Sequence, residues 1–202
     1  TKPATTTDES GQPLPEYSAE ELIAMYVEYG GVIFYEPFWE QFLGPIEDIF
    51  AQPKFSSEGR EEVINQYFGE TTLEECLKEV FVTSYDIEER IPVFFTSNRD
   101  KQRTESRQFR KLCQGFTLKD AGMATSAAPT FFEPYHVATT HNTSGFYTLV
   151  DGGMVANNPT HLAIMEAEMT ERRKGIELSM NDILVVSLGT GSLTSPFPYE
   201  EV

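Results

Sequence analysis

The sequence predicts an α/β fold, and three observations predict it. The runs GFYTLV (145–150) and DILVVSLGTGS (182–192) are apolar and β-branched, and between them residues 160–173 set Leu162, Ile164, Met165 and Met169 among charges at helical spacing. A strand, a helix and a strand within about 45 residues form a βαβ unit, whose two strands run parallel with a right-handed crossover. Upstream, VFVTSYDI (80–87) and IPVFFTSN (91–98) are a second pair of adjacent strands, joined across the charged turn Glu88-Glu89-Arg90.

Taken in order, residues 1–18 are rich in Thr, Pro and acids without periodicity, and read as a loop or linker ahead of a single domain portion over 19–202. Ser18 is the N-cap of a helix with Glu20 and Glu21 in its first turn and Leu22, Ile23, Met25, Tyr26 and Val27 behind them. Gly30-Gly31 is expected to stop it. The aromatic stretch 32–50, interrupted by Pro37 and Pro45, predicts short helical turns around Phe34, Phe38, Trp39 and Phe42; it reads as core, with a membrane-facing cluster as the alternative.

Residues 58–69 predict a helix with Val63, Ile64, Tyr67 and Phe68 along one face and Gly69 at its end. Thr72 to Leu77 fits a short capped helix. The basic run NRDKQRTESRQFRK (98–111) reads as a solvated loop. Thr117 caps a helix running through Ala121 and Ala124 to Ala128, which Pro129 ends. Asn158 and Pro159 then stand as N-cap and first residue of the helix over 160–173.

Composition narrows the partners. With 15 basic against 32 acidic residues the formal charge is −17, which repels nucleic-acid phosphates and anionic bilayers over a Debye length of ~8–10 Å. Neutral or zwitterionic partners fit better. Cys76 and Cys113 lie far apart, outside any CxxC or histidine cluster, and read as reduced core thiols rather than metal ligands or a disulfide. No metal or cofactor is expected. No apolar run reaches the ~18–20 residues of a membrane span, and the N-terminus lacks a signal-peptide pattern, so the reading is of a cytoplasmic protein, at most peripheral at membranes.

The residues that carry chemistry are in LVDGGMVANNPTH (149–161). Asp151 ends an apolar strand, where partial removal from water raises a carboxyl pKa and suits it to accept the proton of a serine as that serine attacks. Gly152 and Gly153 leave room for the nucleophile and the substrate carbonyl, and glycine supplies positive φ where a tight turn needs it. The plainer alternative is that Asp151 caps the following loop by accepting backbone N–H groups. On the βαβ reading, Asp151 and the Gly189/Gly191 loop share the carboxyl edge of the sheet, where open α/β folds bind ligands.

Three segments, KDAGMATSAAPTFF (119–132), LVDGGMVANNPTHLAI (149–164) and VVSLGTGS (185–192), resemble patatin-like lipid acyl hydrolases in order and approximate spacing. IPVFFTSN resembles the strand that precedes the first of them, so the similarity covers nearly the whole chain. The resemblance implies a three-layer α/β/α fold with a central, mostly parallel sheet, and a Ser-Asp dyad that hydrolyses lipid esters with Asp151 as its carboxylate. The family's DGGGxRG loop and G-x-S-x-G elbow are not in this sequence: no glycine has a serine two places on, and no three glycines are consecutive. The expectation is therefore an incomplete domain that begins after the nucleophile, inactive alone, with exposed sheet edges that favour self-association.

Other candidates fit less well. Ser126 is placed on a helix and Ser187 inside a strand, neither being a strained strand-to-helix turn that exposes a nucleophile. His136, His141 and His161 are scattered, and His161 reads as a first-turn helix residue. SLGTGS could cradle phosphate through backbone N–H groups and make the chain a phosphate- or nucleotide-binding module, but no lysine follows its glycines. An acidic interaction domain that kept the fold and lost the chemistry is the third alternative.

Overall fold

A computed structural model describes residues 2–34, 53–98, 111–113, 115–140 and 142–191. The expected aromatic turns over 35–50, most of the basic run (99–110), His141 and Ser192 lie outside the described residues. The chain divides into two compact units, Thr1–Asn157 and Asn158–Val202.

The first unit opens with a hairpin of β1 (Pro3–Thr7) and β2 (Pro13–Pro15). This corrects the reading of 1–18 as a loop. The β-branched Thr5-Thr6-Thr7 run suits a strand, and the turn is closed by Asp8, whose Oδ1 accepts the backbone N–H groups of Ser10 at 2.8 Å and Gln12 at 2.9 Å while Gly11 takes φ +81°. Helix α1 (Ala19–Ile33) follows with a complete capping box, Ser18 Oγ accepting from the Glu21 N–H and the Glu21 carboxylate accepting from the Ser18 N–H. It runs through Gly30-Gly31 instead of stopping there. Glycine lowers helix propensity but breaks no hydrogen bond.

Helix α2 (Ser57–Phe68) ends at Gly69, φ +52°, as its sequence predicts. A 3-10 turn, Leu73–Glu75, stands where a short capped helix was expected. Strands β3 (Phe81–Asp86) and β4 (Ile91–Thr96) form the anticipated pair, its turn fixed by Asp86 Oδ1, which accepts the N–H groups of Glu88 and Glu89, and by Arg90 at φ 58°. After β5 (Lys111–Cys113), Thr117 and Asp120 make the capping box of α3 (Leu118–Thr125), which ends three residues short of Ala128. Strands β6 (Tyr135–Ala138) and β7 (Phe146–Asp151) and the single turn α4 (Gly153–Ala156) complete the unit.

The sheet order is β5-β4-β3-β7-β6. The fold is α/β, as predicted, but the described sheet is mixed: only β4 and β5 run parallel, while β3–β4, β3–β7 and β6–β7 are antiparallel. Short connections explain it. The β3–β4 and β6–β7 links are four and seven residues long, and a parallel crossover requires a dozen residues or more. The core lies where Val93, Phe95, Cys113, Val137, Tyr147 and Leu149 of the sheet meet Leu73, Phe116, Leu118, Ala121 and Ala124.

In the second unit α5 (Thr160–Arg173) begins one residue later than predicted; Asn158 Oδ1 nevertheless accepts the Thr160 N–H at 3.1 Å. His161 sits in its first turn, as expected. The predicted strand over 182–192 is absent among the described residues. Instead a 3-10 turn, Met180–Asp182, leads into irregular chain on which Leu184 is 91% and Leu188 90% exposed. Among the described residues the expected βαβ unit therefore lacks its second strand. Hydrophobic pattern makes a segment suited to a sheet, but pairing requires a neighbouring strand.

Candidate functional site

Asp151 is the last residue of β7, and its neighbours are set by three elements. Across the ladder it faces Ser84 of β3, whose hydroxyl donates to the Val150 carbonyl at 2.7 Å. On its other side the Asp151 N–H donates to the carbonyl of Ala127, in the turn after α3, at 3.0 Å. That turn is itself tied to β3, because the Thr125 hydroxyl donates to the Thr83 carbonyl at 2.8 Å. The backbone that carries the carboxylate is therefore fastened on both sides.

The carboxylate is half-buried. Its Oδ1 accepts the Gly153 N–H at 2.7 Å, a local turn of the kind Asp favours after a strand. Among the described residues Oδ2 accepts no hydrogen bond. Both sequence readings of Asp151 are thus visible in one side chain, with one oxygen capping the loop and the other left available.

Gly152 and Gly153 have different reasons to lack side chains. A Cβ on Gly152 would fall inside the van der Waals shell of the Thr83 carbonyl and hydroxyl, and one on Gly153 would stand 3.1 Å from Asp151 Oδ1 and 3.2 Å from Asn157 Oδ1. Neither glycine has positive φ, and Gly152 is right-handed at φ −62°, ψ −18°. The expected need for left-handed backbone is corrected to a need for close approach.

Sequence reasoning passed over Arg60. This α2 residue is only 3% exposed. Its Nη1 donates to Ser126 Oγ at 3.2 Å, Nη2 to Ser57 Oγ at 3.4 Å, and its guanidinium carbon lies 4.4 Å from the centre of the Phe132 ring. Among the described residues its Nε is buried without a hydrogen-bond partner. Burial pulls the guanidinium down to about 10, and the negative charge of Asp151, followed by that of Glu61, opposes the shift; it remains charged at neutral pH. The signal that could have revealed it was a cation inside the apolar face of a predicted helix, three residues before Val63.

The remaining candidates are dispersed. Ser126 terminates α3 and donates to the Gly122 carbonyl at 2.6 Å, a structural bond rather than a nucleophile's setting. His136 on β6 stacks on Phe146 with ring centres 4.5 Å apart. Ser187, Gly189 and Gly191 belong to the second unit, on irregular chain, so the strand-then-loop geometry that a phosphate cradle needs is not formed there. Ser187 Oγ accepts from the Thr160 hydroxyl at 3.1 Å. A groove of about 1000 Å³ in the first unit is lined by Thr72, Glu74, Phe116, Asp120, Val137 and Thr139, and Asp151 is not part of it. No described helix is long and apolar enough to cross a membrane.

Comparison with known proteins bears on the same residues. A family model described as patatin-like phospholipase matches residues 14–164, a span that includes Asp151, Gly152 and Gly153. The chain is 31% identical to Patatin-like protein 3 of Arabidopsis thaliana, covering 92% of this chain and 44% of that protein. It is 32% identical to Patatin-T5 of Solanum tuberosum, covering 96% and 47%. A third relative, 30% identical over 93% of this chain and 47% of its own length, is named Probable inactive patatin-3-Kuras 1, also from Solanum tuberosum. The chain spans about half the length of these relatives.

Proposed function

The chain belongs to the patatin-like phospholipase family, and on that premise we propose that it is the carboxylate-bearing part of a lipid acyl hydrolase, with Asp151 as the base of a Ser-Asp dyad and the serine outside these 202 residues. One observation carries the reading. Asp151 stands at the end of a strand with its main chain held from both sides, one oxygen engaged by Gly153 and Oδ2 without a hydrogen bond among the described residues.

In the proposed reaction Asp151 takes the proton of the serine hydroxyl as the serine oxygen attacks the ester carbonyl. The tetrahedral intermediate collapses with expulsion of the alcohol, which receives that proton from Asp151, leaving an acyl-serine. A water then gives its proton to Asp151 and attacks the acyl group, and the proton returns to the serine as the fatty acid leaves. Gly152 and Gly153 keep the approach to the carboxylate free of side chains. The acidic surface, net −17, favours neutral or zwitterionic lipid esters over anionic ones.

Turnover of a chromogenic fatty-acyl ester tests the proposal, comparing this chain with a polypeptide extended upstream to carry a G-x-S-x-G serine. Only the extended form should turn over, and Asp151→Asn in it should abolish turnover. Full activity in that variant removes Asp151 from the chemistry.

A further inference from the structure

The buried Arg60 guanidinium meets two hydroxyls and the face of the Phe132 ring. Taking a cation out of water costs several kcal/mol unless opposite charge offsets it, and among the described residues its hydrogen-bond acceptors are two neutral hydroxyls. A methionine would fill the same space beside Phe132 without that cost. The two carboxylates whose charge it feels are Asp151 and, more weakly, Glu61. Glu61 is already paired with Lys119, 2.9 Å away, and its side chain is half exposed.

The connection is also mechanical. Arg60 Nη1 holds Ser126, the next residue's carbonyl accepts the Asp151 N–H, and the preceding Thr125 is bonded to β3. A three-residue turn thereby links a buried cation on α2 to the backbone of the carboxylate on β7. Surface arginines do not build such a path, because a solvated side chain imposes little on the backbone it touches.

We propose that Arg60 is a positioning residue for Asp151: through Ser126 it pins the 125–127 segment from which the Asp151 main chain hangs. The inference rests on the reading of Asp151 as the dyad base, and it acts through that residue without touching substrate. The guanidinium fork suits the task, since it engages Ser126 and Ser57 at once and stays ionised when buried.

Amide hydrogen exchange on the 202-residue chain tests this link, with the Phe95 amide in the neighbouring ladder as internal reference. Arg60→Met should speed exchange of the Asp151 amide by ~10-fold or more relative to Phe95, Ser126→Ala by less, and Arg60→Lys should restore most of the protection. An Asp151-to-Phe95 ratio unchanged by Arg60→Met overturns the proposal. In the extended, serine-bearing polypeptide, Arg60→Met should lower kcat by ~10–100-fold with little change in KM, and Arg60→Lys should recover much of it. A kcat unmoved by Arg60→Met, where Asp151→Asn is inactive, also overturns it. Activity retained by Asp151→Asn instead sinks the dyad reading, while the exchange ratio still decides whether Arg60 holds Asp151.

Discussion

The backbone of Gly152 lies against the carbonyl and hydroxyl of Thr83 so closely that a methyl group has no room between them. The obstacle is largely main chain, which cannot rotate aside as a flexible side chain would. Gly152→Ala should therefore destabilise the protein by ~1–3 kcal/mol, the usual range for overpacking, and urea unfolding would show it. The effect does not come from backbone conformation, because φ −62° suits any residue. A midpoint equal to wild type would mean that β3 and β7 separate easily at this point.

Gly30 gives the opposite expectation. It sits inside α1 with no atom of the described residues within 4 Å of the position its Cβ would take. Gly30→Ala should stabilise by about 0.5–1 kcal/mol, through helix propensity and reduced freedom of the unfolded chain. Thermal unfolding of this variant beside Gly152→Ala separates a permissive glycine from a required one.

Phe95 has no exposed surface and packs edge-to-face on Phe116, ring centres 5.2 Å apart at 83°. Phe95→Ala should cost ~3–5 kcal/mol, loss of the buried ring plus the cavity it leaves. A loss under ~1 kcal/mol in urea titration would show that the sheet-to-α3 core is not where the fold is held.

Acid should weaken the fold through its capping carboxylates. Glu75 accepts from the Thr72 N–H and hydroxyl and is held below its ordinary value of 4.5; Glu21 is held down likewise by Ser18, and Asp182 by Ser179. A carboxylate with a depressed folded pKa contributes stability that is complete above its unfolded value and is lost as pH falls through the folded one. Urea midpoints should be flat from pH 7 to ~5 and decline below ~4.5, with Glu75→Gln showing a shallower decline. An equally steep decline in Glu75→Gln would remove this cap from the account.

The two thiols should differ in reactivity. Burial pushes Cys113 up to about 12, and its thiol donates to Tyr147 Oη at 3.7 Å; Cys76 is raised too, but is only half-buried. The thiolate is the reactive form. At pH 8 iodoacetamide should modify Cys76 well before Cys113, as mass spectrometry of peptides would report, and equal rates would mean that the core opens on that timescale.

The elements that proved legible were those whose signals are local. Ser18, Thr117 and Gly69 announced helix ends because caps act within one turn, and the β-branched and aromatic runs at 80–87 and 91–98 announced a strand pair because the turn between them is short. The misreadings involved longer range. Residues 182–192 have a strand's pattern and no strand beside them among the described residues, and the hairpin over 3–15 depends on Asp8 satisfying its own turn.

The site divides in the same way. Sequence alone determined that an aspartate followed by two glycines ends an apolar strand, together with the family to which the chain is similar, because motif and spacing are properties of neighbouring residues. Tertiary structure decided the rest: that one Asp151 oxygen is capped and the other accepts no hydrogen bond among the described residues, that Gly152 is required by Thr83, and that Arg60, 91 positions earlier in the numbering, is bonded to Ser126 in the segment that holds the Asp151 main chain. Those relations join segments far apart in the chain, and only packing α2 and α3 against the sheet brings such groups within reach of one another.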